Sequence, residues 1–313
     1  MRDVPVIFPD SPHKPAAGVR ERPELPSRRN FLRLMAVGAL APAFGVAYAT
    51  HIEPFWPEFT HHDVQIRGLG RAWDGARIVQ LSDLHTGSRV PESYLAHVVG
   101  RVNELAPDLV VVTGDLINHE QAGISVVAGI LSRLKAPVYA SPGNHDYSPS
   151  GAWPGPTTVL VDELESRLAA VNIKLLRNAS VRLDRGGDPL WLVGLEDCQS
   201  FLYKPQDGFA NIPPGEPVIC LSHSPDTVED LEAFRPPLVL SGHTHGGQVR
   251  VPLRGAVILP LRKTHFDQGW FDLSYGRLYV SRGVGYLMRI RLNCRPEIPI
   301  FTVRSGTGVE NQA

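Results

Sequence analysis

Short, largely apolar runs recur along the chain, and they predict its elements. Residues 77–81, 109–113, 138–141, 190–193, 218–222 and 238–241 are rich in Val, Ile and Leu and bounded by Gly, Pro, Asp or Asn, the signature of strands. Unbroken runs such as 109–112 predict strands buried on both faces, as a parallel or mixed sheet between helices requires. Longer segments near 92–105, 124–134, 158–170 and 227–233 read as helices between those strands. After Gly246 the pattern becomes strand-rich, with turns at Tyr275–Gly276 and Arg282–Gly283. The alternation predicts an α/β domain with a β-rich C-terminal part, built as two packed sheets with helices outside. Positions 50–313 hold no long Gly/Ser linker or internal repeat, so they read as one folded domain.

The first 49 residues follow another pattern. A Pro- and Arg-rich opening through Pro26 leads to Ser27, Arg28, Arg29, Asn30, Phe31, Leu32 and Arg33, and an apolar run over 34–49 ends in Ala47, Tyr48 and Ala49. A positive flank, a short apolar segment and a small-residue end predict a signal peptide over 1–49, cleaved after Ala49. The paired arginines ahead of Phe31 and Leu32 resemble the twin-arginine signature of bacteria. The alternative is a retained anchor. The apolar run holds about sixteen residues and is interrupted by Pro42 and Gly45, short of the roughly twenty that a span needs. A twin-arginine signal implies passage through that export machinery to the periplasm, the cell wall or the outer face of the membrane. The route carries proteins already folded.

Composition narrows the partners. The 313 residues have a formal net charge of −1, so there is no basic excess of the kind that marks a nucleic-acid binder, and none is expected as a partner. Cys198, Cys220 and Cys294 are scattered and lack Cys-x-x-Cys spacing, which argues against a disulfide framework or a zinc ribbon.

The candidate chemistry lies where the strands run out. Ser82, Asp83 and His85 follow the first run; Gly114 and Asp115 the second; Gly143, Asn144, His145 and Asp146 the third. Ser222 and His223, then Gly242, His243 and His245, follow the last two. Strand carboxyl ends in an α/β sheet open into a common crevice, so clusters distant in sequence can meet. Asp and Asn oxygens with neutral imidazoles suit Mn, Fe or Zn, and no thiolate is present to favour a softer site. The set is large enough for two cations, with a carboxylate such as Asp115 between them, a device common in phosphatases and nucleases. The alternation within Asp83-x-His85 and His243-x-His245 predicts an extended turn that aims both members at the site, with the neighbouring glycines letting the backbone come close.

This ordered series, Asp-x-His, Gly-Asp, Gly-Asn-His-Asp, His and Gly-His-x-His, from Ser82 to Gly247, resembles the calcineurin-like metallophosphoesterase superfamily. The resemblance implies a four-layer α-β-β-α sandwich of two mixed sheets with the motifs on loops at the sheet edge. It implies that Asp83, His85, Asp115 and His245 hold one divalent or trivalent ion (Mn, Fe or Zn), that Asp115, Asn144, His223 and His243 hold a second, and that Asp115 bridges them. It also implies that His145 contacts the phosphate and protonates the leaving oxygen. Asp146 either orients His145 or its loop through a hydrogen bond, or simply caps a turn. Two cations lower the pKa of a bridging water enough to leave hydroxide at neutral pH, and no covalent phospho-enzyme is expected.

Departures and additions refine the picture. Protein Ser/Thr phosphatases continue the second motif as Gly-Asp-x-x-Asp-Arg, whereas Leu116, Ile117, Asn118 and His119 stand here, which argues against a phosphoprotein substrate. The stretches 242–249, 280–285 and 295–298 resemble a bacterial subgroup of exported or membrane-associated phosphoesterases linked to phospholipids or UDP-diacylglucosamine-type lipids. The apolar stretch 249–261, with Arg250, Arg254 and the nearby Arg262, directly follows metal-ligand candidates. It reads either as a β-hairpin packed on the core, the favoured reading, or as a surface for acyl chains or a membrane. The loop 147–156, with Trp153, is a specificity candidate beside His145. The expected function is hydrolysis of a small-molecule or lipid phosphoester, a phospholipid or nucleotide-sugar lipid first. Soluble nucleotides or cell-wall phosphodiesters are the alternative, and a non-catalytic scaffold is the reading of another class.

Overall fold

The computed structural model describes residues 27–147, 158–261 and 265–306. Trp153, Arg262 and the opening through Pro26 lie outside the described residues. The chain divides into two compact units, one ending at Gly45 and one beginning at Val46. The first contributes most of helix α1 (Arg28–Ala47), which contains Pro42. Among the described residues no helix is long and apolar enough to cross a membrane.

In chain order the second unit forms β1 (Glu58–Arg67), β2 (Arg77–Leu81), α2 (Glu92–Glu104), β3 (Leu109–Thr113), α3 (Gln121–Leu131), β4 (Val138–Ser141), α4 (Val159–Ala169) and β5 (Lys174–Leu175). It continues with β6 (Ala179–Arg185), β7 (Asp188–Gly194), α5 (Pro205–Phe209), β8 (Val218–Leu221), β9 (Leu238–Ser241), β10 (Arg250–Val251), β11 (Gly255–Ala256), β12 (Gly269–Asp272), β13 (Arg277–Val280) and β14 (Glu297–Gly306). The six runs read as strands fall on β2, β3, β4, β7, β8 and β9. The helix expected over 227–233 is instead two short 3₁₀ turns, Pro225–Val228 and Asp230–Ala233. Pro225 suits the first turn of a helix, where its missing N–H is no loss, and the whole segment is too short to sustain an α-helix.

Two six-stranded mixed sheets form the frame, in the orders β1-β14-β2-β3-β4-β5 and β12-β13-β9-β8-β7-β6. Strands β2 to β5 run parallel, as do β7, β8, β9 and β13. Ile78, Val111, Leu192, Ile219, Tyr279 and Phe301 lie in the core shared by the two sheets. The opposite side of the first sheet packs Val110 and Val112 against Leu95, Ile124 and Leu164 of α2, α3 and α4. The second sheet buries Cys220, Val239 and Leu278 beneath Leu231, Phe209 and Phe234. The four expected layers are present, the outer layer on this side being 3₁₀ turns and the single turn of α5. The three cysteines are all free.

Packing sheet against sheet brings the ends of β2, β3 and β4 face to face with those of β8 and β9. Gln80 of β2 makes the link explicit: it donates to Thr113 Oγ1 at 2.8 Å in its own sheet and to Ser241 O at 2.9 Å in the other.

Candidate metal centre

Every sequence-predicted metal-ligand residue lies in a loop at these strand ends. Asp83 and His85 follow β2, Asp115 follows β3, and Asn144 starts a 3₁₀ turn after β4. From the second sheet, His223 follows β8, while His243 and His245 follow β9. Asp83, His85 and His245 form one group whose donor atoms lie within 4.8 Å of one another, and Asp115, His223 and His243 form a second. Asp115 Oδ2 is 3.6 Å from His85 Nε2 and 3.2 Å from His223 Nε2, so one carboxylate stands between the groups. Asp83 Oδ1 is 3.3 Å from His245 Nε2, and the Nε2 atoms of His85 and His245 approach to 3.0 Å.

The ligand loops do not take the extended form expected from the alternating motifs. Asp83, His85, Asp115, His243 and His245 have φ of 54°, 46°, 53°, 70° and 51°. Left-handed backbone costs a non-glycine residue on the order of 1–2 kcal/mol, and the surrounding hydrogen bonds hold it. His85 N donates to Asp115 O at 3.0 Å, and Gly285 N donates to Asp83 O at 2.8 Å. Two glycines leave the space this requires. A Cβ on Gly114 would stand 2.4 Å from His223 Nδ1, and one on Gly242 would stand 1.9 Å from Ser82 Oγ.

Neighbouring groups orient the imidazoles. His223 Nδ1 lies 2.8 Å from Thr113 O and His243 Nε2 lies 3.0 Å from Pro260 O. Each carbonyl can only accept, so Nδ1 of His223 and Nε2 of His243 carry protons, and Nδ1 of His243 keeps its lone pair. Against the effect of burial, Asp115, Asp83 and Asp197 hold the pKa of His223 well above the ordinary value, so its Nε2 also carries a proton, which a metal ion would displace. That Nε2 and Nδ1 of His243 are 3.3 Å apart and face each other. Burial pushes the pKa of His85 down to about 3 and that of His243 down to about 4, and holds His245 well below the ordinary value. These rings are neutral at pH 7 and available as ligands. Asp115 is also buried, which pushes its carboxyl up, yet the His223 cation beside it keeps that carboxyl well below the usual range.

A metal pair fits this set on structural grounds. The donor atoms of each Asp/His group lie within 4.8 Å of one another, and Asn144 Oδ1 is buried with no hydrogen-bond partner among the described residues, an electron-pair donor lacking its acceptor.

His145 is largely buried, and its Nδ1 stands 3.0 Å from Asn118 Oδ1. The His119 ring lies 4.1 Å from it, and His85 packs edge-on at 4.8 Å. Asp146 does not reach the His145 ring. Its fully buried carboxylate accepts from the N–H groups of Leu116, Ile117 and Gly143 at 3.3, 2.9 and 2.8 Å, tying the Asp115 loop to the Asn144 loop. Two residues gain no role from the sequence. Asn118 stands out there only for occupying the place where the protein phosphatases carry their second Asp. Arg291, fully buried, donates to Arg282 O, Gly285 O and Cys294 O, and its Nη2 is 3.5 Å from His245 Nδ1; a lone Arg near the C-terminus gives no sign of this.

Two packed sheets whose strand ends carry paired Asp/His groups form the frame of a two-metal centre suited to phosphoester hydrolysis. The calcineurin-like phosphoesterase profile matches residues 76–247, and the chain belongs to that family. It is 33% identical to phosphodiesterase YaeI of Escherichia coli, over 88% of this chain and 98% of that one. It is 32% identical to the uncharacterized metallophosphoesterase YkuE of Bacillus subtilis, over 89% and 98%. It is also 29% identical to UDP-2,3-diacylglucosamine pyrophosphatase LpxG of Chlamydia muridarum, over 83% and 93%.

Proposed function

We propose that this metal-dependent phosphoester hydrolase is a phosphodiesterase of the cell envelope that acts on a lipid phosphoester. The observation that carries the reading is the place of Asp115, whose Oδ2 serves both ligand groups. The printed activities of the Escherichia coli and Chlamydia relatives, a phosphodiesterase and a lipid pyrophosphatase, support the diester and lipid parts. Asp83, His85, Asp115 and His245 would hold one cation and Asp115, Asn144, His223 and His243 the other. Such a pair acidifies a water and neutralises charge on the phosphoryl oxygens.

The chain's own groups do the rest. Asn118 accepts Nδ1–H of His145 and fixes the ring, so that Nε2, when protonated, is the atom that can deliver a proton to the leaving oxygen. Water oxygen bonds to phosphorus, the bond from phosphorus to the leaving oxygen breaks, and the leaving group departs as the alcohol or phosphate. Asp146 holds the two loops together rather than exchanging a proton.

Residues 1–49 act in this reading as a twin-arginine-type export signal. Ala49 is buried and its carbonyl accepts Arg291 N–H at 2.8 Å, which makes the Ala49–Thr50 bond the decisive position. N-terminal sequencing of the exported protein that reads from Thr50 supports removal; a chain beginning before Val46 means that the helix is kept.

The test of the activity is hydrolysis of bis(p-nitrophenyl) phosphate and p-nitrophenyl phosphate by protein loaded with Mn²⁺. Faster turnover of the diester is expected. Two bound metals and no hydrolysis of either ester would sink the reading and favour a binding scaffold.

A further inference from the structure

The stretch that follows the last metal ligand packs on the core only in part. It forms the small β10–β11 hairpin; Val249, Leu259 and Leu261 are half-buried, with Leu261 against the core, but Leu253 is fully exposed, and Val257, Ile258 and the nearby Met288 are 59%, 75% and 67% exposed. Contiguous exposed apolar side chains are rare on a soluble protein and mark a binding surface.

Behind this rim lies a cavity of about 330 Å³ lined by Val249, Val257, Ile258, Pro260, Leu287 and Met288, and also by the candidate ligand His245. The Pro260 carbonyl that accepts from His243 belongs to the same wall. His245 and Pro260 therefore belong both to the wall of the trough and to the surroundings of the metal centre. It is also held in shape: Gln248 donates from Nε2 to Met288 O and Ile290 O, each at 2.8 Å, and its Oε1 accepts Leu287 N–H at 2.8 Å. One buried amide thus ties the wall over 287–290 to the loop of His245.

We propose that this trough holds an acyl chain of the substrate while its phosphoester sits at the metals. The inference rests on the phosphoesterase reading of that centre. Three observations choose the occupant. The walls are aliphatic, and a nucleobase would find almost no hydrogen-bonding group to replace the water it gives up. A metal-ligand candidate forms part of the wall, so an occupant lies beside the metal centre, where it can be the chain of the same substrate. Apolar burial remote from the bond that breaks is the kind of binding that can be spent on orienting it.

Methyl and dodecyl p-nitrophenyl phosphate, the latter below its micellar concentration, share a leaving group and differ only in the chain. Wild-type protein is expected to prefer the dodecyl ester by at least tenfold in kcat/KM. Val257→Glu and Met288→Glu, at exposed positions that should leave folding intact, are expected to reduce that preference by tenfold or more, with Met288→Leu retaining it. An unchanged preference in both Glu variants overturns the proposal. So does a result in which those variants lose only sedimentation with phosphatidylglycerol vesicles, because the rim would then be a membrane contact. If wild-type protein hydrolyses neither ester, the phosphoesterase reading fails by itself. Saturable fluorescence enhancement of dansyl-undecanoic acid then decides the trough: binding that Met288→Glu abolishes supports it, and absence of saturable binding overturns it.

Discussion

The Nδ1 of His223, in a loop of the second sheet, lies 2.8 Å from the carbonyl of Thr113, the last residue of a strand in the first. That bond joins the two sheets at the metal centre and turns Nε2 toward Asp115. Sheet packing and ligand chemistry meet in one contact.

His223→Ala should therefore empty one site and spare the other. Bound metal measured by mass spectrometry is expected to fall from two ions per chain to one. Diester turnover should drop by more than the roughly 10–100-fold that loss of an outer-sphere partner costs. A variant that keeps both ions would contradict the assignment of His223.

Asp146→Ala removes the acceptor of three buried N–H groups. Each unsatisfied donor costs about 1–3 kcal/mol, so a loss of roughly 3 kcal/mol or more is expected. Differential scanning calorimetry should show the melting temperature lowered by about 6 °C or more. A change within error would mean that water takes over all three donors.

Asn118→Ala leaves every candidate ligand in place and frees only the His145 ring. Metal content should be unchanged while kcat falls by about 10–100-fold, the scale on which partners that orient a functional imidazole act. Equal loss of metal and activity would place Asn118 in metal binding instead.

Asp197 gives a pH prediction for metal-free protein. Its carboxylate is buried, with Oδ2 lacking a partner, and burial raises its pKa from 3.8 to about 6, against the pull of His223. A folded-state pKa above the unfolded one makes a contribution to stability that is fully present below pH 3.8 and lost as pH rises through 6. Above that range the charged form burdens the fold by roughly 3 kcal/mol. Urea unfolding in EDTA should find Asp197→Asn more stable than wild type at pH 7.5, with the difference shrinking toward pH 4. A gap that widens on acidification would reverse the sign.

Much of the frame was legible because its signals are local. Strand β3 is five buried residues in a row, a run that has no other use in an α/β protein. Strand β1 was not legible. In Glu58–Arg67 only Val64 and Ile66 are fully buried, and its parallel partner, Glu297–Gly306, lies at the far end of the chain. The hairpin after Gly247 was foreseen as an element, but packing on the core was favoured over an exposed surface, because an apolar run looks the same whether it faces a core or an open trough.

The seven metal-ligand candidates could be read from sequence because several Asp, Asn and His clusters follow successive strands in an order that repeats a known pattern. The sequence by itself determined the ligand chemistry, the α/β class and the strands that carry the loops. Only the tertiary structure decided that Asp115 stands between two groups, that five ligand positions take left-handed backbone, and that Asn118, Asp146 and Arg291 hold the loops. Those facts depend on distances between residues as far apart as Asp83 and His245, or His245 and Arg291. Such distances arise when two sheets pack, and no local run of residues encodes them.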